Sequence, residues 1–90
     1  NSKAKTALSK TLFSYGTELV SQGKLTKAIE QFQEATKLAP NEFPPYFSLA
    51  KALFQNGQTL QALSTLKNAM LIKPDSSEAQ NLLMKLLMNQ

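Results

Sequence analysis

Cysteine, histidine and arginine are missing from this 90-residue chain, and each absence removes a class of chemistry. Without Cys there is no disulfide framework and no thiolate metal site. Without His the usual general base, the commonest metal ligand and the middle member of a serine or cysteine triad are gone. Without Arg the bidentate contacts by which proteins read bases and phosphates have no donor, so nucleic acid is not an expected partner. The three Gly residues are isolated from one another, which excludes a Gly-rich phosphate cradle. No run of about 18 apolar residues is present, so direct membrane insertion is not expected. The opening stretch from Asn1 to Lys10 is too polar for a secretory core segment. Nothing here implies a cofactor or an enzyme. The first residue is not Met, as in an excised or a processed chain; no compartment is encoded, and the cytoplasm is mildly favoured.

What is present is a modest apolar content, 42% hydrophobic residues, and a net charge of +4 in which all ten basic residues are Lys. That composition is too apolar for a disordered tract. A domain of this size buries only about 60–65% of its unfolded surface. The lysines are scattered along the sequence, as on an ordinary solvated surface, with a mild bias toward acidic partners.

The strongest signal is periodic. Gly23, Ala28, Ala35 and Pro40 return 34 residues later as Gly57, Ala62, Ala69 and Pro74, which marks stacked units that bury their apolar faces against one another. Within each unit the apolar residues fall at helical spacing. Leu12, Tyr15, Gly16 and Leu19 form one stripe that closes at Gly23. Leu25, Ala28, Ile29, Phe32, Ala35 and Leu38 form a second that stops at Pro40. Tyr46, Leu49, Ala50 and Leu53 form a third, opened by Pro44 and Pro45 where a missing amide donor costs little. Ala62, Leu63, Leu66, Ala69, Met70 and Ile72 form a fourth. Each predicted helix is about 13 residues long, a length at which packing, not propensity, must hold it. Asp75 and Glu78 then predict a capping-box start for a fifth helix.

This pattern resembles the tetratricopeptide repeat, a 34-residue helix-turn-helix. Leu12, Tyr15-Gly16, Leu19, Ala28, Phe32, Ala35 and Pro40 match its signature in the first unit. Tyr46, Leu49-Ala50, Leu53, Ala62, Leu66, Ala69 and Pro74 match it in the second. The departures are Leu12 where an aromatic is usual, and Thr59 opposite Leu25, with Leu60 one step later; the latter predicts a slightly rearranged second turn. The resemblance implies an all-α, antiparallel helix-pair solenoid of about five helices wound as a right-handed superhelix. Residues 1–8 would form a lead or an extension of the first helix, 9–42 and 43–76 the two repeats, and 77–90 a capping helix or partial third repeat.

The same resemblance implies a concave surface lined by the first helix of each unit and a protein-interaction role, with a protein or peptide as ligand. Lys10, Phe13, Thr17, Val20 and Ser21 face it from the first unit, then Phe47, Lys51, Phe54 and Gln55, and finally Glu78, Asn81, Lys85 and Met88. The expected binding set is Phe13, Thr17, Val20, Phe47, Lys51, Phe54, Asn81 and Lys85, with Phe13, Val20, Phe47 and Phe54 as an apolar strip that also packs neighbouring helices. The carboxylate clamp of one subclass is not expected, because its places hold Phe13, Thr17 and Ser48. Tyr15 and Tyr46 are expected in the core. Glu30 and Glu34 share a helix face at i, i+4, and Lys27 and Lys37 at helical spacing make that face a solvated one. The fifth helix carries more apolar surface than one stripe needs, and Leu82, Leu83, Leu86 and Leu87 form a candidate association face. Through it the chain would dimerise or join a longer array.

Overall fold

The structure is a computed structural model in which residues 1–89 are described, so Gln90, the last residue of the expected cap, lies outside them. Five helices follow in order: α1 Ser2–Ser21, α2 Leu25–Leu38, α3 Phe43–Gln55, α4 Thr59–Ile72 and α5 Ser77–Met88. No strand occurs among the described residues. The helix-pair solenoid expected from the periodicity is what forms. α1 packs along α2 and α3 along α4, while α2 leans on α3 and α4 on α5. α1 is helical from Ser2, so residues 2–8 extend the first helix. Asn1 caps that start, its Oδ1 accepting from the amides of Lys3 at 2.9 Å and Ala4 at 3.2 Å.

The helix pairs are joined by two turns of the same geometry. After α1, Gly23 stands at φ +79°, its amide donating to the Val20 carbonyl while the Lys24 amide donates to Leu19. After α3, Gly57 stands at φ +81°, and Gly57 and Gln58 donate to Phe54 and Leu53. This pair of reversed bonds satisfies carbonyls that a helix end leaves open, and it requires a left-handed residue that Gly adopts without steric cost. The second turn is therefore not rearranged. Thr59 simply takes the first helical position that Leu25 takes in the first pair, and Leu60 is left 77% exposed.

The core runs through the stack from Leu19, Ala28, Ile29 and Phe32, past Leu49, Ala50 and Leu53, to Leu66, Leu82 and Leu86. Small residues set how closely the helices approach. A Cβ on Gly16 would lie 2.6 Å from the Phe32 ring, so the first pair is spaced by glycine against an aromatic. Thirty-four residues later Ala50 and Leu66, both fully buried, do the same with a methyl group against a smaller side chain. Across the first pair, the buried Ser9 hydroxyl donates to the Ala35 carbonyl at 2.9 Å.

Three expectations are corrected here. Tyr15 is half exposed, not a core residue, whereas its counterpart Leu49 is 6% exposed. The difference is that α2 leans on α3, whereas among the described residues no element precedes α1 to lean on it in the same way. The cap of α5 is Ser76, not Asp75: its Oγ accepts from the Ala79 amide at 3.2 Å, and the helix begins one residue later than the Asp75–Glu78 spacing implied. On the polar face of α2, the one ion pair among the described residues joins Lys37 to Glu34 at 3.5 Å; Lys27 is not part of it. Both partners are largely exposed, so the pair adds little to stability.

Candidate functional site

Curvature singles out one face. The backbone of α1 comes close to that of α3, and α3 to α5, while among the described residues no such backbone approach joins α2 to α4. The layer whose helices approach is the inner side of a curved stack, and the layer whose helices part is the outer side. The inner face is thus built from α1, α3 and α5, the helices that carry all eight residues of the expected binding set.

The structure brings part of that set together. Thr17 and Val20 of α1 meet Ser48, Lys51, Ala52 and Gln55 of α3 around a depression of about 100 Å³ floored by the Phe32 ring. That volume is well below the several hundred Å³ of a small-molecule pocket and suits one side chain. The Thr17 hydroxyl donates to the Phe13 carbonyl of its own helix at 3.0 Å. Phe13 is half-buried. Its ring meets Phe32 at 5.9 Å and 47°, and it also walls a second depression of about 250 Å³ between Thr6, Ser9 and Lys10 of α1 and Glu42, Pro44 and Pro45 at the start of α3.

Phe47 and Phe54 are likewise half-buried against the core. Phe47 stacks on Phe43 one turn earlier, with ring centres 5.5 Å apart and planes 15° from parallel. The Lys51 ammonium sits 5.0 Å from the Phe47 ring centre, and the Lys73 ammonium 5.6 Å from that of Phe43. Two aromatic rings are therefore held between two cations, each contact worth about 0.5–1 kcal/mol at an exposed site. Asn81 and Lys85 are exposed on α5, and no hydrogen bond or ion pair among the described residues joins them to the other six.

Sequence reasoning missed several residues at these depressions. Pro44 and Pro45 stand in the sequence as helix-start chemistry and Glu42 and Phe43 carry no site assignment there, although Phe43 at four residues before Phe47 has the spacing of a stacked pair. Thr6 and Ser9 were obscured by their polarity, since only the tertiary partner of Ser9 reveals that it is buried. The expected association face is divided: Leu82 and Leu86 are buried in the core, Leu83 is half-buried, and of the four only Leu87 is exposed. The apolar residues that α5 leaves open are Met84, Leu87 and Met88. They fall on one side of the helix because they are three and four residues apart.

No helix among the described residues is long and apolar enough to cross a membrane. A comparison with curated proteins found no match. The tetratricopeptide-repeat family model matches residues 19–86, the stretch from the end of α1 through both turns to the buried Leu86. With five helices stacked as two pairs and a fifth, the chain belongs to the tetratricopeptide repeat family, whose members generally serve as protein–protein interaction scaffolds.

Proposed function

We propose that this chain binds a peptide segment of a protein partner on the inner face of α1, α3 and α5, with Phe13, Val20, Phe47 and Phe54 as apolar contacts and Thr17, Lys51, Asn81 and Lys85 as polar ones. The observation that carries the reading is the depression between α1 and α3, where Thr17, Val20 and Lys51 converge beside half-buried aromatics. Half-buried rings are already fixed by the core, so they lose little freedom when a ligand covers them. Affinity then comes from a few anchored side chains and not from the whole contact area.

The test is a peptide isolated from a displayed random dodecapeptide library and titrated into the isotope-labelled chain. Amide shifts should cluster on Thr17, Val20, Lys51 and Phe54. Shifts confined to the outer residues Leu60 and Leu71, or a library from which nothing is enriched, would refute the reading.

A second reading is favoured by the open side of α5. Met84 and Leu87 stand 34 residues after Ala50 and Leu53, which are buried where α3 packs on α4. In that reading the chain is a stretch of a longer array or a homodimer joined through Met84, Leu87 and Met88. Sedimentation equilibrium at two concentrations should then show association that Leu87→Ser weakens, and a strict monomer removes the dimer.

A further inference from the structure

Successive inner helices carry the same register position 34 residues apart, so the inner face can be read as columns that run across the helices. Phe13, Phe47 and Asn81 form one column, and Val20, Phe54 and Met88 another. Between them stands the column of Thr17, Lys51 and Lys85. All three of these side chains are exposed. The two linking turns repeat one geometry, and α3 contacts α5 as α1 contacts α3. Lys51 and Lys85 therefore occupy adjacent rungs, one helix–helix step of about 8–10 Å apart.

No carboxylate among the described residues pairs with either lysine; the one ion pair lies on α2, in the outer layer. The nearest competitor on α5 is Glu78, seven residues before Lys85, or about 10 Å along the axis. The inner-helix carboxylates Glu18 and Glu78 sit at other register positions. Lys51 is held over the Phe47 ring, a contact that orients the ammonium without neutralising it. One cation oriented by an aromatic ring and a second, exposed one on the next rung thus stand between the column of Phe13, Phe47 and Asn81 and that of Val20, Phe54 and Met88.

We infer that the ligand of this groove is an extended acidic segment carrying two carboxylates three residues apart, one for Lys51 and one for Lys85. A polyproline-II chain returns to the same side every three residues and rises about 9.3 Å in doing so, which matches the rung spacing. A β-strand places residues three apart on opposite sides and does not match. A bound α-helix would need its acids seven residues apart and is about 10–12 Å across, whereas the depression beside Lys51 suits one side chain. The inference rests on the groove reading above and specifies the ligand for that same surface.

The experiment is selection of a random dodecapeptide phage library on three forms of the full chain: wild type, Lys51→Gln/Lys85→Gln, and Phe54→Ala. Peptides enriched on wild type should carry an excess of Asp or Glu pairs at i, i+3, and that excess should vanish on the double lysine variant while apolar residues stay enriched. Each lysine removed should weaken a selected peptide about two- to fivefold, as expected for exposed ion pairs. Both lysines are exposed, so circular dichroism of the double variant should match wild type. Enriched peptides with no acidic pair, or with pairs at i, i+7, overturn the inference and leave the groove standing. No enrichment over uncoated beads, or enrichment that Phe54→Ala and the lysine variant leave untouched, overturns the groove reading itself.

Discussion

Replacing Gly16 with Ala puts two known effects in opposition. A mid-helix Gly→Ala change gains about 1 kcal/mol of helix propensity. Against it, the new Cβ would stand 2.6, 2.9 and 3.0 Å from three atoms of the Phe32 ring, where carbon atoms settle at about 3.5–4.0 Å. The ring must retreat by roughly 1 Å. It has little space to do so, being 1% exposed and braced by Phe13 on another side. Overpacking of this kind costs about 1–3 kcal/mol. With three buried ring atoms in conflict the upper half of that range applies, and the net loss should be about 1–2 kcal/mol. For a chain of this size that lowers the melting temperature by roughly 5–15 °C.

The second repeat supplies the compensating change, since Ala50 and Leu66, both fully buried, hold the places of Gly16 and Phe32 there. Phe32→Leu alone should cost about 1–2 kcal/mol, a fraction of the 3–5 kcal/mol of Phe→Ala. The double variant Gly16→Ala/Phe32→Leu should be more stable than the sum of the single losses by about 1–2 kcal/mol, within the usual range for touching residues. Urea unfolding followed by far-ultraviolet circular dichroism measures all four corners of the cycle. A single Gly16→Ala variant as stable as wild type, or strictly additive losses, would refute the reasoning.

Three further outcomes are expected from the same unfolding assay. Gly57→Ala should cost about 1–2 kcal/mol, because φ +81° is a left-handed conformation and no atom within 4 Å of the added methyl offers compensation; Leu60→Ser, three residues on, should change stability by less than about 0.5 kcal/mol. Ser76→Ala should lose about 1 kcal/mol with the cap of α5, while Asp75→Ala loses a few tenths at most; the reverse order would restore Asp75 as the cap. Leu86→Ala should cost about 2–5 kcal/mol as a cavity in the core, and Leu87→Ala well under half of that.

Which parts of this molecule are readable in the sequence follows from where the causes lie. The helices, the two glycine turns and the buried alanines are local or strictly periodic consequences of residue type, and a 34-residue echo displays them directly. Tyr15 and Leu49 occupy the same register position, yet one is half exposed and the other buried; the cause is whether a helix leans on that face, which no residue in the stripe records. By residue type Leu60 resembles a displaced Leu25, whereas the backbone turn fixes position 59 as the first helical residue. Ser76 and Asp75 are both sound capping residues, and the choice fell to the one adjacent to where α5 can begin after the preceding turn. At the candidate site, the register columns were legible as differences between repeats. The Phe43–Phe47 stack and the Phe13–Pro44–Pro45 depression were not, since they depend on how α3 enters beside α1.

The parted outer layer has a mechanical consequence. Because the backbones of α2 and α4 do not approach each other, bending the stack along its length strains chiefly the seams at α3 and α5, as a book flexes about its spine. Resistance to opening therefore resides chiefly where α2 leans on α3 and α4 on α5. A segment bound across α1, α3 and α5, as proposed above, would act as a splint over both seams, fixing the angle between the two ends of the molecule.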